Sequence, residues 1–299
     1  MSRKYNHYDN LSVDINELFE KHVHTHEKRS RNKLVRLISR YWSAFLIKLN
    51  LYEVFVEIGL IKYWFVEFKK YWSECLGGRP IYLHDFYFLL GVYRMKFSEV
   101  VTPDYASNDD FLTSWQSNQT IYMLFGAVRR FSRTPLISRQ FEKFLSDVDS
   151  VLEYGCGLAP ITSSILRVGK KNNLDLTIAD IRQLNFHYAR YKLGSLVSSF
   201  EIKPNTIEDF PKTYDAIIMI TVMEHLPNPF ATVKNITKHL KSGGILFFDY
   251  HADDAKGQDT IEAVEQKKDV LDYISLNYEI LRGSIDYDNI MGITVAKKK

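Results

Sequence analysis

Short apolar runs recur along the second half of the chain, and their polar borders divide it into strands, turns and helices. The first run ends at Glu153, and a Gly-x-Gly turn and a helix-like pattern from Pro160 to Leu166 follow it. A second run, Leu174 to Asp180, also closes on an acid. The apolar segment after Tyr214 is too unbroken to alternate, which predicts a strand buried on both faces of a parallel sheet.

The two ends of the chain carry different patterns. Residues 278–284 and 290–296 are strand-like and are joined by a polar turn, which predicts a β-hairpin. Residues 240–248 combine a glycine pair, which we expect to close the preceding helix, with an aromatic strand. Residues 1–147 are mainly helix-like. We therefore predict a doubly wound, mostly parallel α/β domain at residues 148–299 behind a mainly helical region at residues 1–147.

The first glycine turn carries the most chemical information. Gly155 and Gly157 permit a sharp bend and the close approach of a ligand, because a Cβ atom there would collide. Glu153 would project from the carboxyl end of a strand, where doubly wound sheets bind ligands. Its negative charge suits a ligand with a positive centre better than it suits a pyrophosphate.

Several motifs in order resemble those of class I S-adenosylmethionine-dependent methyltransferases. Residues 153–157 (Glu-Tyr-Gly-Cys-Gly) are similar to the first family motif, although the third glycine is Ala159 here. Residues 223–227 (Met-Glu-His-Leu-Pro) and 240–244 (Leu-Lys-Ser-Gly-Gly) resemble the ends of the family's fourth strand and the turn before its fifth. The resemblance implies a seven-stranded Rossmann-like sheet, S-adenosylmethionine as the cofactor and no metal.

The resemblance also implies the residues that contact the donor. Asp180 would accept hydrogen bonds from the ribose hydroxyls and Ile181 would flank the adenine, although an N-cap role for Asp180 stays open. Thr206 stands where the family has an acid for the adenine amino group, with Ile207 beside it. The full set of implied donor-site residues is Glu153, Gly155, Cys156, Gly157, Asp180, Ile181, Thr206, Ile207 and Ile220.

The expected reaction is methyl transfer to the oxygen or nitrogen of a small-molecule, sugar-linked or lipid-linked acceptor. His225 and His251 follow the fourth and fifth strands and are the candidate bases, because histidine titrates near neutrality. His225 has the alternative role of bracing the following helix. Two other functions stay open: a non-catalytic subunit that binds a partner through its N-terminal helices, and a nucleic-acid methyltransferase. The sequence lacks the Asn/Asp-Pro-Pro-Phe/Tyr tetrapeptide after the fourth strand, which disfavours the latter.

Composition limits the partners and the cellular compartment that we expect for the protein. The 39 Lys and Arg against 36 Asp and Glu give a net charge of +3, which is too small to argue for a nucleic-acid partner. Cys75 and Cys156 lie far apart and offer neither a disulfide framework nor a metal cluster. The charged N-terminus does not resemble a signal peptide. We expect a cytoplasmic enzyme.

Residues 28–72 are the exception to this even charge. The segment from Lys28 to Lys48 carries seven basic residues and no acid, with apolar residues at helical spacing, which predicts a basic amphipathic helix. This helix packs on the protein or meets an anionic surface at the membrane periphery. Residues 50–72 are rich in aromatic residues and have apolar positions nearly all round the helix, which predicts a buried helix or a helical subunit contact. Farther along, the aromatic residues Tyr105, Phe111, Trp115 and Tyr122 are candidate pocket walls, with core packing as the commoner role of each.

Overall fold

The structure is a computed structural model of the 299-residue chain. It describes residues 41–42, 45, 49, 51, 63–78, 80–82, 85–90, 115–116, 121–131, 142–168, 174–203, 209–251 and 259–299. Two compact units divide the chain: Met1–Lys96 with Asn118–Pro135, and Phe97–Ser117 with Leu136–Lys299.

The second unit contains a seven-stranded sheet with the strand order β3-β2-β1-β4-β5-β7-β6. Strands β1 to β5 are parallel, and β7 pairs antiparallel with both β5 and β6. This order confirms the predicted mostly parallel α/β sheet and its terminal hairpin. The strands are β1 (Ser150–Tyr154), β2 (Asp175–Ile181), β3 (Ser198–Ile202), β4 (Tyr214–Met219), β5 (Leu240–Phe248), β6 (Tyr278–Arg282) and β7 (Thr294–Lys298).

Helices precede the sheet and alternate with its strands. The helices whose bounds fall within the described residues are α1 (Tyr63–Glu74), α2 (Ile121–Phe131), α3 (Pro160–Val168), α4 (Leu184–Leu193), α5 (Pro229–Lys238), α6 (Ile261–Glu265) and α7 (Lys267–Asn277). Pro229 opens α5, where its missing N–H costs nothing, and the Asn228 side chain caps it by accepting from the Ala231 N–H. No helix within these described ranges has the length and apolar character needed to cross a membrane.

Both faces of the sheet are buried, as the unbroken apolar run of β4 predicts. Ile217 and Leu246 contribute to a core cluster with residues of α5 and α7. Ile218 and Phe247, which alternate with them, contribute to a second cluster with residues of α3. Because successive strand residues point to opposite faces, the two clusters mark the two covered sides of one sheet.

The glycine pair at residues 243–244 does not close the preceding helix. Helix α5 ends at Lys238 with His239 as its C-cap, and Leu240 already pairs with Tyr214. The register then shifts before Ala216 pairs with Ile245, and Gly243 adopts a φ of +72° within this irregularity. The glycines therefore form a bulge inside β5, which sequence spacing alone did not distinguish from a helix end.

The first unit has an aromatic core of its own. Phe68 and Trp72 of α1 are buried and contact Phe125 of α2, with ring centroids 5.3 and 5.8 Å apart. Phe86 lies 4.8 Å from Phe125, edge to face. Edge-to-face contact between rings stabilises a core by more than the burial of their apolar area alone. Residues 63–72 lie in α1, and the buried aromatic residues there agree with the prediction of a buried helix.

Candidate functional site

The glycine turn after β1 has a backbone that requires its glycines. Gly155 and Gly157 have φ values of +64° and +52°, and Ala159 also lies in the left-handed region at +50°. A Cβ atom on Gly155 would come within 2.6 Å of the Val222 side chain, whereas one on Gly157 would meet no atom within 4 Å. Gly155 is therefore needed for close packing, and Gly157 faces open space that a ligand can occupy.

Glu153 is buried behind the glycine turn and does not line its open side. Its carboxylate accepts hydrogen bonds from the Thr162 N–H at 2.8 Å and the Ile161 N–H at 3.3 Å, and its side chain is buried. These are unpaired N–H groups of the first turn of α3, so the carboxylate caps the helix. Burial outweighs these hydrogen bonds and raises the pKa of Glu153 to about 7.

Asp180 joins the end of β2 to the glycine turn. Its Oδ2 accepts from the Gly157 N–H at 2.6 Å, and its Oδ1 accepts from the Ile181 N–H at 2.7 Å and from Gln183 Nε2 at 2.9 Å. The N-cap of α4 is Gln183, so the alternative assignment of Asp180 as an N-cap is not what the structure shows. Burial raises the pKa of Asp180 to about 6.

Of the remaining predicted donor-site residues, three lie in the described part of the chain and two lie outside it. Cys156 is buried, and burial raises the pKa of its thiol. Ile181 and Ile220 are half-buried and pack against the clusters on opposite faces of the sheet. Thr206 and Ile207 lie outside the described residues.

A second non-glycine residue with a left-handed backbone lies in the loop just after β4. Thr221 has a φ of +57°, which is strained for a β-branched side chain, and its N–H donates to Asp249 Oδ1 at 2.6 Å. Asp249 follows β5 and is buried, and its Oδ2 lies 3.3 Å from His251 Nε2. Sequence reasoning missed Asp249. An acid directly after an aromatic strand at the carboxyl edge of the sheet was the available signal.

Glu224 was part of a quoted motif but was not singled out. Its side chain is only 2% exposed, and Oε2 has no hydrogen-bond partner among the described residues. Burial, together with the charges of Asp249 and Asp259, raises the pKa of Glu224 to about 8. The carboxyl group is therefore largely protonated near pH 7.

The predicted base His225 lies between acids and an aromatic ring. Its Nδ1 is 3.5 Å from Asp259 Oδ1, its Nε2 is 3.9 Å from Glu224 Oε1, and its ring centroid is 5.4 Å from that of Trp115. The two candidate bases are thus paired with different acids, His225 with Asp259 and His251 with Asp249. Within the described residues, no three His, Cys, Asp or Glu side chains are grouped to hold a metal ion.

Known proteins with similar sequences are methyltransferases. A family model described as a methyltransferase domain matches residues 127–279. Ubiquinone biosynthesis O-methyltransferase from Proteus mirabilis is 31% identical over 104 residues, which are 33% of this chain and 40% of that protein. The enzyme of the same name from Rickettsia conorii is 26% identical over 143 residues, 46% of this chain and 48% of that protein. The chain thus spans about two fifths to one half of these relatives.

Solved structures of methyltransferases are similar at a low level. N-methyltransferase NodS from Bradyrhizobium japonicum, in complex with S-adenosyl-L-homocysteine, has a TM-score of 0.42 and 17% identity over 56% of this chain and 87% of that one. The family match covers about half of the chain, and the sheet has the strand order typical of the class I fold. The chain belongs to the class I S-adenosylmethionine-dependent methyltransferases.

Proposed function

We propose that the protein transfers a methyl group from S-adenosylmethionine to a hydroxyl or amine of a small-molecule, sugar-linked or lipid-linked acceptor. The observation that carries this proposal is the 2.6 Å hydrogen bond between Asp180 and the Gly157 N–H. It ties the acid near the end of β2 to the open glycine turn after β1, the two features that the motif resemblance assigns to the donor site.

The chemistry of the turn fits a ribose and the chain attached to it. A carboxylate accepts about four hydrogen bonds, and Gly157, Ile181 and Gln183 supply three to Asp180. A pair of ribose hydroxyls takes the free position and displaces the Gln183 amide. In this proposal Glu153 supports the donor by holding α3 beneath the turn, and Cys156, Ile181, Thr206, Ile207 and Ile220 complete the donor site.

S-adenosylmethionine supplies, when bound, an electrophilic methyl group on a sulfonium. The work left to the protein is alignment of the acceptor, with removal of a proton when the acceptor is a hydroxyl. When the acceptor is a hydroxyl, a histidine of the protein would accept its proton. His225 Nε2 is our first candidate, because Asp259 beside Nδ1 favours the tautomer with its proton on Nδ1.

Turnover with labelled donor and a cell-extract acceptor pool tests this role. His225→Ala should lower turnover by about 10²–10⁴-fold, with the affinity for S-adenosylhomocysteine near that of the wild type. His251→Ala is compared in the same assay as the second candidate. If both variants remain fully active, neither histidine is the base, and an amine acceptor that needs only alignment fits better. A wild type that binds the donor and methylates nothing supports the non-catalytic subunit instead.

A peripheral membrane contact through residues 28–72 is a second proposal. Tyr41, Trp42, Phe45 and Leu49, which belong to the predicted apolar stripe of the basic helix, are all about half exposed or more. Trp42 and Phe45 stack on each other at 5.7 Å. Exposed aromatic residues on a strongly basic segment suit the interface of an anionic bilayer.

Co-sedimentation with phosphatidylserine vesicles tests this contact. The protein should pellet at low salt and be released as salt rises, because the Debye length falls to about 10 Å at 0.1 M. Phosphatidylcholine vesicles are the control, and Trp42→Ser with Phe45→Ser should abolish binding. Absence of pelleting with anionic vesicles at low salt would refute the membrane contact and leave packing as the role of the helix.

A further inference from the structure

Two residues in or beside the glycine turn have a strained backbone conformation. Among the described residues, Ala159 and Thr221 are the non-glycine residues with positive φ. Ala159 belongs to the turn itself, whereas Thr221 lies in the loop just after β4, the strand next to β1. A β-branched residue adopts this conformation only where its surroundings hold it there.

The restraint on Thr221 is the carboxylate of Asp249. The Thr221 N–H donates to Asp249 Oδ1 at 2.6 Å, and the Asp249 side chain is 2% exposed. The acid is 28 residues away in the chain and lies at the carboxyl end of the adjacent strand β5. A buried charge-assisted hydrogen bond of this kind is strong enough to compensate the strain of one residue.

The conformation of Thr221 sets the position of the residues that follow it. Val222 packs so closely on Gly155 that a Cβ atom there would lie 2.6 Å from Val222 Cγ2. The next three residues, Met223 to His225, form a single 3-10 turn that carries Glu224 and the candidate base. One backbone conformation therefore determines both the wall of the glycine turn and the place of His225.

We infer that Asp249 is a positioning residue, which holds Thr221 in its left-handed conformation and thereby keeps the donor turn and the His225 segment in register. The inference rests on the proposed function, since it assumes that the glycine turn binds the donor. Asp249 acts through Thr221 and Val222. When Asp249 is removed, Thr221 relaxes, Val222 leaves Gly155, and donor binding must restore the strained arrangement.

Calorimetric binding of S-adenosylhomocysteine to the full chain tests the inference without any acceptor. Asp249→Ala should weaken binding about tenfold. Asp249→Asn keeps an oxygen that accepts from Thr221 and should bind within about threefold of the wild type. Adding Thr221→Gly to Asp249→Ala removes the strain, so the double variant should bind as Thr221→Gly does alone.

Asp215→Ala is the matched control. Asp215 lies near the amino end of β4, the strand that Thr221 follows, where it accepts from the Ser150 N–H and pairs with Lys241. Its replacement should lower stability and leave the affinity unchanged. If Asp249→Ala does not fold, recovery of folding in the double variant supports the inference.

Three outcomes decide the matter. Wild-type affinity in Asp249→Ala, or a double variant no better than Asp249→Ala in affinity or folding, would overturn the positioning role and leave the proposed function standing. A wild type that does not bind S-adenosylhomocysteine would overturn the proposed function itself.

Discussion

Buried carboxyl groups are concentrated where the strands end. Glu153, Asp180, Glu224 and Asp249 are each 5% exposed or less, and each pKa is raised, with burial as the largest cause. Three of the four accept backbone N–H groups from neighbouring segments, which is how they fix the loops at this edge. Glu224 differs because one of its oxygens has no partner in the described part of the chain.

The titration of Glu224 should be visible in stability. Its pKa rises from 4.5 to about 8 on folding, so between these values the folded state binds more protons than the unfolded state. The free energy of unfolding therefore falls as pH rises through this window. Glu224→Gln removes this dependence. Its advantage over the wild type should grow by roughly 2 kcal/mol from pH 6 to pH 9 in denaturant titrations.

Glu201→Gln is the matched control for this measurement. Glu201 lies on β3 at the edge of the sheet, and its side chain is 40% exposed. The control should keep the pH dependence of the wild type. Parallel curves for wild type and Glu224→Gln would contradict the assignment of a buried, protonated carboxyl group at position 224.

At the residue scale, the sequence predicted positions better than contacts. The motifs correctly located acids at the ends of β1 and β2, and the structure joins Asp180 to the turn. They did not predict that Glu153 would turn inward to cap α3, because the Ile161 and Thr162 N–H groups become available only when the helix forms. The bond between Thr221 and Asp249 depends on the pairing of β4 with β5, which no local pattern encodes.

At the element scale, the strands were the most predictable part. Apolar runs closed by acids or glycines located β1, β2 and β4, because a strand buried on both faces must be apolar throughout. The bulge in β5 was missed, since a glycine pair also suits a helix end. The last β strand begins at Thr294 and not at residue 290, because residues 290–293 belong to the connection after the polar turn.

Lys298 and Lys299 make contacts with helix ends that the sequence pattern did not predict. Lys298 Nζ donates to the carbonyls of Thr237 and Leu240, both at 2.7 Å, and so caps the last turn of α5. Lys299 Nζ reaches the Leu276 carbonyl near the end of α7 at 2.8 Å. Lysines at helix C-termini interact favourably with the unpaired carbonyls there. Because these lysines are far from the helix ends in sequence, their contacts with the carbonyls form only when the sheet is assembled.

At the scale of the whole molecule, family membership and the donor-site proposal rest on the second unit. The family match, the strand order and the connected glycine turn all fall within or overlap it. The first unit has an independent aromatic core and no counterpart among the motifs. The sequence could therefore predict the donor chemistry from local motifs. The contact between the rings of Trp115 and His225 arises only in the fold, and no local motif predicted it.

The most direct test of the account is calorimetric binding of S-adenosylhomocysteine to the wild type, Asp180→Ala and Asp175→Ala. Asp175 begins the same strand that Asp180 ends and is more than half exposed, so it is the matched control. We expect saturable binding by the wild type and the control. Asp180→Ala should lose about 1.5–3 kcal/mol, the range for hydrogen bonds to a charged group. No binding by the wild type, or equal affinity in Asp180→Ala, would contradict the donor site proposed for this chain.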